Sequence, residues 1–145
     1  MRHALSLRAS QPVLQRRTFL SGRRTGATDV LWLRPNGAEM AATDWNDPAR
    51  RALGMLLDGD GILERDTRGD LITGDTLLIL LNAGPEDVLF TMPARPPSAW
   101  TCLIDTAMAD GATPPKPGAS WLLKHHASAV FRLTAPVPPA RVTRR

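Results

Sequence analysis

The residues in this 145-residue chain that could do chemistry are few, and their spacing argues against most of the usual reactions. Asp58-Gly59-Asp60-Gly61 sets two carboxylates two positions apart beside glycines, which is how a calcium loop opens. The pattern fails at Ile62 and Leu63, where a third oxygen ligand and a glycine should fall, so a solvated turn is predicted. His125 and His126 are adjacent and would point to opposite faces of a strand, and His3 is the only other imidazole. That arrangement does not make a zinc site. Ser120, His125 and Asp105 can be composed into a nucleophilic triad on paper, but no Gly-x-Ser-x-Gly elbow supports it. Any two of the fourteen acidic residues could be paired for glycoside chemistry, and no spacing singles out a pair. Spacing alone thus singles out no catalytic residue, no metal site and no cofactor.

The tryptophans are the remaining candidates, because indoles stack on sugar rings. Trp32, Trp100 and Trp121 lie inside apolar strand-like runs and read as core. Trp45, between Asp44 and Asn46 in a turn-rich stretch, is the one candidate for an exposed, carbohydrate-binding indole, although packing is the preferred reading even there. Cys102 alternates with Trp100 and Ile104, so it reads as a small buried hydrophobe rather than a reactive thiol.

The elements that must position these residues are short strands. Thirteen prolines and eleven glycines imply many turns, and a hydrophobic content of 43% is enough for one packed core. The stretch 74–93 organises the rest. Residues 77–81 form an unbroken apolar run, Asn82, Gly84, Pro85 and Asp87 supply turn chemistry, and Val88, Phe90 and Met92 then alternate with Leu89 and Thr91. This reads as a central β-hairpin with Ile79 fully buried. Further strands are predicted around residues 29–34, 53–57, 100–104, 121–125 and 129–133, with turns or polar loops between them. Residues 21–28 read as a loop. The whole describes an all-β, antiparallel sandwich.

Residues 1–28 carry six arginines and no acid, which has the composition of a mitochondrial presequence. The preferred reading is a short helix with Ala4, Leu5 and Leu7 on one face, stopped by Pro12, followed by Val13, Leu14, Phe19 and Leu20 as apolar anchors. The net charge is +4, but the arginines are scattered or terminal and aromatics are few, so nucleic-acid binding is not expected. No apolar run reaches the length of a membrane span.

Asp29-Val30-Leu31-Trp32-Leu33-Arg34-Pro35-Asn36-Gly37-Ala38-Glu39-Met40, with Asp44-Trp45 after it, resembles a recurring stretch of bacterial glycogen debranching enzymes of the isoamylase type. Gln11-Pro12-Val13-Leu14 with Phe19 and Gly22 is similar to the segment that ends the last helix of that family's catalytic barrel. The stretch 74–93 is similar to a later apolar block. The chain departs from the family at Gln11 (His in the family), at Asn36 (Asp) and at Gly84-Pro85, where a His pair is common.

The resemblance implies a place in a larger enzyme. Such enzymes hydrolyse α-1,6 branch links of glycogen with carboxylates on a (β/α)8 barrel, and a β-sandwich follows the barrel. The expected organisation is a remnant of the last barrel helix at 1–17, a linker at 18–28, the C-terminal β-sandwich at 29–135 and a frayed basic tail at 136–145. The expected role is that of an accessory domain, inactive by itself and cytoplasmic, whose partners are the barrel and α-glucan. A stand-alone module binding glucan or protein is the alternative.

Overall fold

The computed structural model describes residues 2–24, 27–94, 99–109 and 112–134; the expected basic tail lies outside these. Among the described residues nine strands form in chain order: β1 (Arg23–Arg24), β2 (Ala27–Thr28), β3 (Val30–Leu33), β4 (Ala52–Leu57), β5 (Leu77–Asn82), β6 (Val88–Thr91), β7 (Ala99–Asp105), β8 (Ser120–Leu123) and β9 (Ala127–Thr134). One helix, α1 (Arg2–Ser10), precedes them.

Five strands make an antiparallel sheet in the order β3-β4-β5-β9-β7, and β6 pairs antiparallel with β8 in a separate two-stranded sheet. Alternation along the strands gives the large sheet two apolar faces. Its inner face presents Leu33, Ala52, Leu56, Leu78, Leu80, Ala129, Phe131, Trp100 and Cys102. These form one buried cluster with Phe90, Trp121 and Leu123 of the small sheet. The small residues Ala52, Ala127 and Ala129 share this cluster with the aromatic rings, and Trp121 meets Phe131 edge to face at 5.0 Å. The two buried indole N–H groups are satisfied: Trp100 donates to the Pro93 carbonyl at 2.8 Å and Trp121 to the Asp105 carboxylate at 3.2 Å. This is the predicted all-β sandwich.

The central hairpin is corrected. β5 and β6 do not pair; β5 lies between β4 and β9, and β6 belongs to the other sheet. The connection between them crosses layers instead of reversing within one. Asn82, which is buried, fixes that crossing: its amide donates to the carbonyls of Glu86 (2.7 Å) and Lys124 (3.0 Å), and its oxygen accepts from Gly84 N–H (3.0 Å). The apolar run keeps its central place, but Leu77, Leu78 and Leu80 are its fully buried members. Ile79 is only half-buried, because it faces outward, where the sheet is incompletely covered. The stretch 21–28, expected to be a loop, contains the short β1–β2 ladder.

α1 ends as Pro12 requires, and its last carbonyls find a donor: the Gln15 side-chain amide reaches the carbonyls of Arg8 (3.0 Å) and Ala9 (2.7 Å). The helix buries none of its own residues. The chain after it does. Val13, read as an apolar anchor, is buried with Val30, Leu57, Ile62 and Leu77 on the outer face of the large sheet. Phe19, read as an apolar anchor, is 98% exposed. Beyond Val13 and Leu14, the chain up to residue 22 is held by polar contacts.

Candidate functional site

Trp45 sits in a 3-10 turn, Ala42–Asn46, placed against the edge strand β3 by a carboxylate. Asp44 accepts from Ala41 N–H at 2.7 Å and from Arg34 Nε at 2.7 Å on one oxygen, and from Arg50 Nη2 at 2.6 Å on the other. The Ala41 N–H bond, then the two guanidinium groups, outweigh the effect of burial and hold the Asp44 carboxyl below its ordinary range. The ring of Trp45 meets Trp32 edge to face at 5.3 Å, and Trp45 remains 52% exposed. A held turn presenting a half-exposed indole can stack on a flat apolar surface such as the face of a sugar ring. Trp32, read as core, is half-buried beneath it, whereas Trp100 and Trp121 are buried.

A second polar anchor fastens residues 16–22 to the sandwich. Asp29 accepts from Ser21 N–H (2.9 Å), Ser21 Oγ (3.1 Å), Gly22 N–H (2.8 Å) and Arg16 Nη2 (3.2 Å). The Arg16 and Asp29 side chains are 8% and 4% exposed. Burial alone would raise the Asp29 pKa, but the Ser21 and Gly22 donors and the Arg16 charge together bring it below 3.8. Glu64 accepts from Arg17 N–H, Thr18 N–H and Thr18 Oγ1 at 2.8, 3.0 and 2.9 Å. Gln11 donates to Asp75 at 3.0 Å. Sequence reasoning missed this anchor. The available signal was that Asp29 is the first acidic residue after six arginines.

The other candidates resolve as structure. Asp58 accepts from Asp60 N–H at 3.0 Å within its own 3-10 turn. The glycines there serve close approach: a Cβ on Gly59 would lie 2.7 Å from the Asp75 carbonyl carbon, and one on Gly61 would lie 2.7 Å from the Thr28 carbonyl oxygen. Among the described residues no group of three His, Cys, Asp or Glu is placed to hold a metal ion. His125 and His126 lie in the β8–β9 turn, not in a strand as expected, with rings 5.9 Å apart. Asp87 accepts from Lys124 Nζ at 2.7 Å and from His125 N–H at 3.0 Å, with the His125 ring at 3.2 Å. The Lys124 ammonium, followed by the His125 donors, pulls the Asp87 carboxyl down to about 2. His125 is thus engaged by Asp87, while Asp105 accepts from Trp121 and Ala107 N–H. The paper triad is not assembled. Burial, aided by the Asp105 charge, raises the Cys102 thiol to about 11, which leaves it inert near neutral pH.

The outer face of the large sheet is the remaining feature of note. Trp32, Met55, Ile79 and Val130 stand opposite one another in register across β3, β4, β5 and β9, all half-buried. Leu53 and Leu81 are the next opposed pair on β4 and β5, with Leu81 38% exposed. Val13 and Ile62 cover only the end of the face that holds Val30, Leu57 and Leu77.

No helix among the described residues is long and apolar enough to cross a membrane. Against solved structures, the chain aligns with a point mutant of the trehalulose synthase MutB over 61% of this chain and 13% of that one, at 21% identity and a TM-score of 0.40. An inactive MutB double mutant in complex with isomaltulose aligns over the same shares at 20% identity and a TM-score of 0.37. Among curated proteins, glycogen operon protein GlgX homologs of Mycobacterium bovis and Mycobacterium tuberculosis are 36% identical over 110 residues, covering 72% of this chain. The chain spans 15% of the length of those relatives. Residues 29–135, which hold the sandwich and the Trp45 turn, match the family model described as the isoamylase C-terminal domain, and this chain belongs to that family.

Proposed function

We propose that this chain is the C-terminal accessory domain of an isoamylase-type enzyme that hydrolyses α-1,6 branch links of glycogen, and that it works in the cytoplasm beside a (β/α)8 barrel carrying the catalytic carboxylates. The observation that carries the reading is the family match over residues 29–135, supported by 36% identity to proteins named for the glycogen operon. The chain's own polar residues fit a structural role. Asp29, Asp44 and Asp87 each accept from backbone and basic side-chain donors, and Glu64 accepts from two backbone N–H groups and the Thr18 hydroxyl, so each carboxylate is used to fasten the chain. The test is assembly: the chain should copurify with a GlgX homolog cut ahead of its own matching domain. Failure to copurify under coexpression would contradict the reading.

Contact with α-glucan is a second reading, favoured by the exposed indole of Trp45 on its held turn. Trp45→Ala should weaken retention of the chain by glycogen in affinity electrophoresis by about tenfold, as expected for removal of one stacking contact. Equal retention of the variant would remove Trp45 as a glucan contact.

A further inference from the structure

We propose that the open part of the outer sheet face, Leu53, Met55, Ile79, Leu81 and Val130, is the surface on which the catalytic barrel seats. The inference rests on the accessory-domain reading and adds the face by which it is fulfilled. Among the described residues, two sets of apolar side chains opposed across paired strands remain open on the sandwich. One is the pair Leu89 and Leu122, opposed across β6 and β8 and 60% and 51% exposed. Ser120, Thr91 and Lys124 flank that pair along the same strands, so it is small and polar-edged. The other is the outer face of the large sheet, where an in-register row crosses four strands and Leu53 and Leu81 extend it.

What decides between them is where the preceding chain already lies. Residues 11–14 come before the matched domain, which begins at residue 29. They run onto the outer face and bury Val13 against Val30, Leu57 and Leu77. Arg16, Ser21 and Gly22, bound to Asp29, and Thr18, bound to Glu64, hold the chain on that side. The open row is continuous with this contact, because Met55 and Ile79 of the row pack against the same cluster. A body that precedes the sandwich in the chain, as the barrel does in enzymes of this type, is therefore delivered to this face. An apolar, half-exposed sheet face is matched by an apolar partner surface that completes its burial.

The assembly assay with three variants tests this. Leu81→Glu puts a charge at a partly exposed position, so the sandwich should keep its fold, checked by its thermal midpoint; Met55→Gln is the second probe. Both should weaken copurification with the truncated homolog at least about tenfold, because an unpaired polar or charged group enters an apolar contact. Leu89→Glu should leave it unchanged. Loss of assembly in Leu89→Glu with retention in Leu81→Glu and Met55→Gln would overturn the face assignment while leaving the accessory role intact. No assembly by the unaltered chain would overturn the accessory role and this inference with it. A dimer of the chain alone that Leu81→Glu dissolves, persisting in the presence of the truncated homolog, would assign the face to a second copy instead.

Discussion

Phe131→Ala is expected to lower the unfolding free energy by about 3–5 kcal/mol, the cost of truncating a fully enclosed aromatic. Phe131 is completely buried on β9, pairs with both Leu78 and Cys102 across the sheet, and meets Trp121 of the second layer at 5.0 Å. The ring therefore joins the two sheets as well as neighbouring strands. The loss is a large share of the roughly 5–15 kcal/mol that holds a domain of this size together. Ile79→Ala, on the half-covered outer face, should cost clearly less than Phe131→Ala. Urea unfolding of the two variants measures both. An equal loss in the two would mean that the core is not centred between the sheets.

Asp29→Ala is the second large effect. It removes four hydrogen bonds and leaves the Arg16 guanidinium buried without its counter-charge. The expected cost is about 3 kcal/mol, as for breaking one side of a buried ion pair. Amides of residues 16–22 should exchange faster than in the unaltered chain. The acid limb should change as well. The Asp29 pKa is lowered below 3.8 on folding, so its contribution is fully present above that pH and is lost as pH falls through the lower folded value. Stability measured from pH 6 to pH 2 should therefore fall less in Asp29→Ala than in the unaltered chain. A change under about 0.5 kcal/mol at neutral pH, the size typical of a neutral surface substitution, would show that this anchor does not hold the segment.

Much of this fold can be read along the chain, and what cannot has a physical reason. The alternation of Val88, Phe90 and Met92, the apolar run at 77–81 and the turn residues between them predict two strands correctly, although Ile79, expected to be fully buried, faces outward. They do not predict the partner. Which strand lies beside β5 is set by Ala127–Thr134, about fifty residues away, and by Asn82 tying its loop to Lys124. Local periodicity carries neither. The same holds for carboxylates: Asp29 and Asp44 look like any loop acid until the fold brings Arg16, Arg34 and Arg50 to them. Trp45 was legible as the one candidate for exposure, with packing preferred; its half-exposed placement edge to face on Trp32 was not, since the two are thirteen positions apart on different elements. Asp58 and Asp60 were rightly read as a turn, while the need for Gly59 and Gly61 emerged only where other backbone crosses them.

The central claim is that this domain supplies structure and a seat for a catalytic barrel, and does no chemistry itself. Release of reducing ends from glycogen tests it most directly, measured for the chain alone, for a GlgX homolog cut ahead of its matching domain, and for the two coexpressed. The account predicts no release by the chain alone and greater release by the coexpressed pair than by the truncated homolog. Debranching by the chain alone that survives re-purification would contradict it.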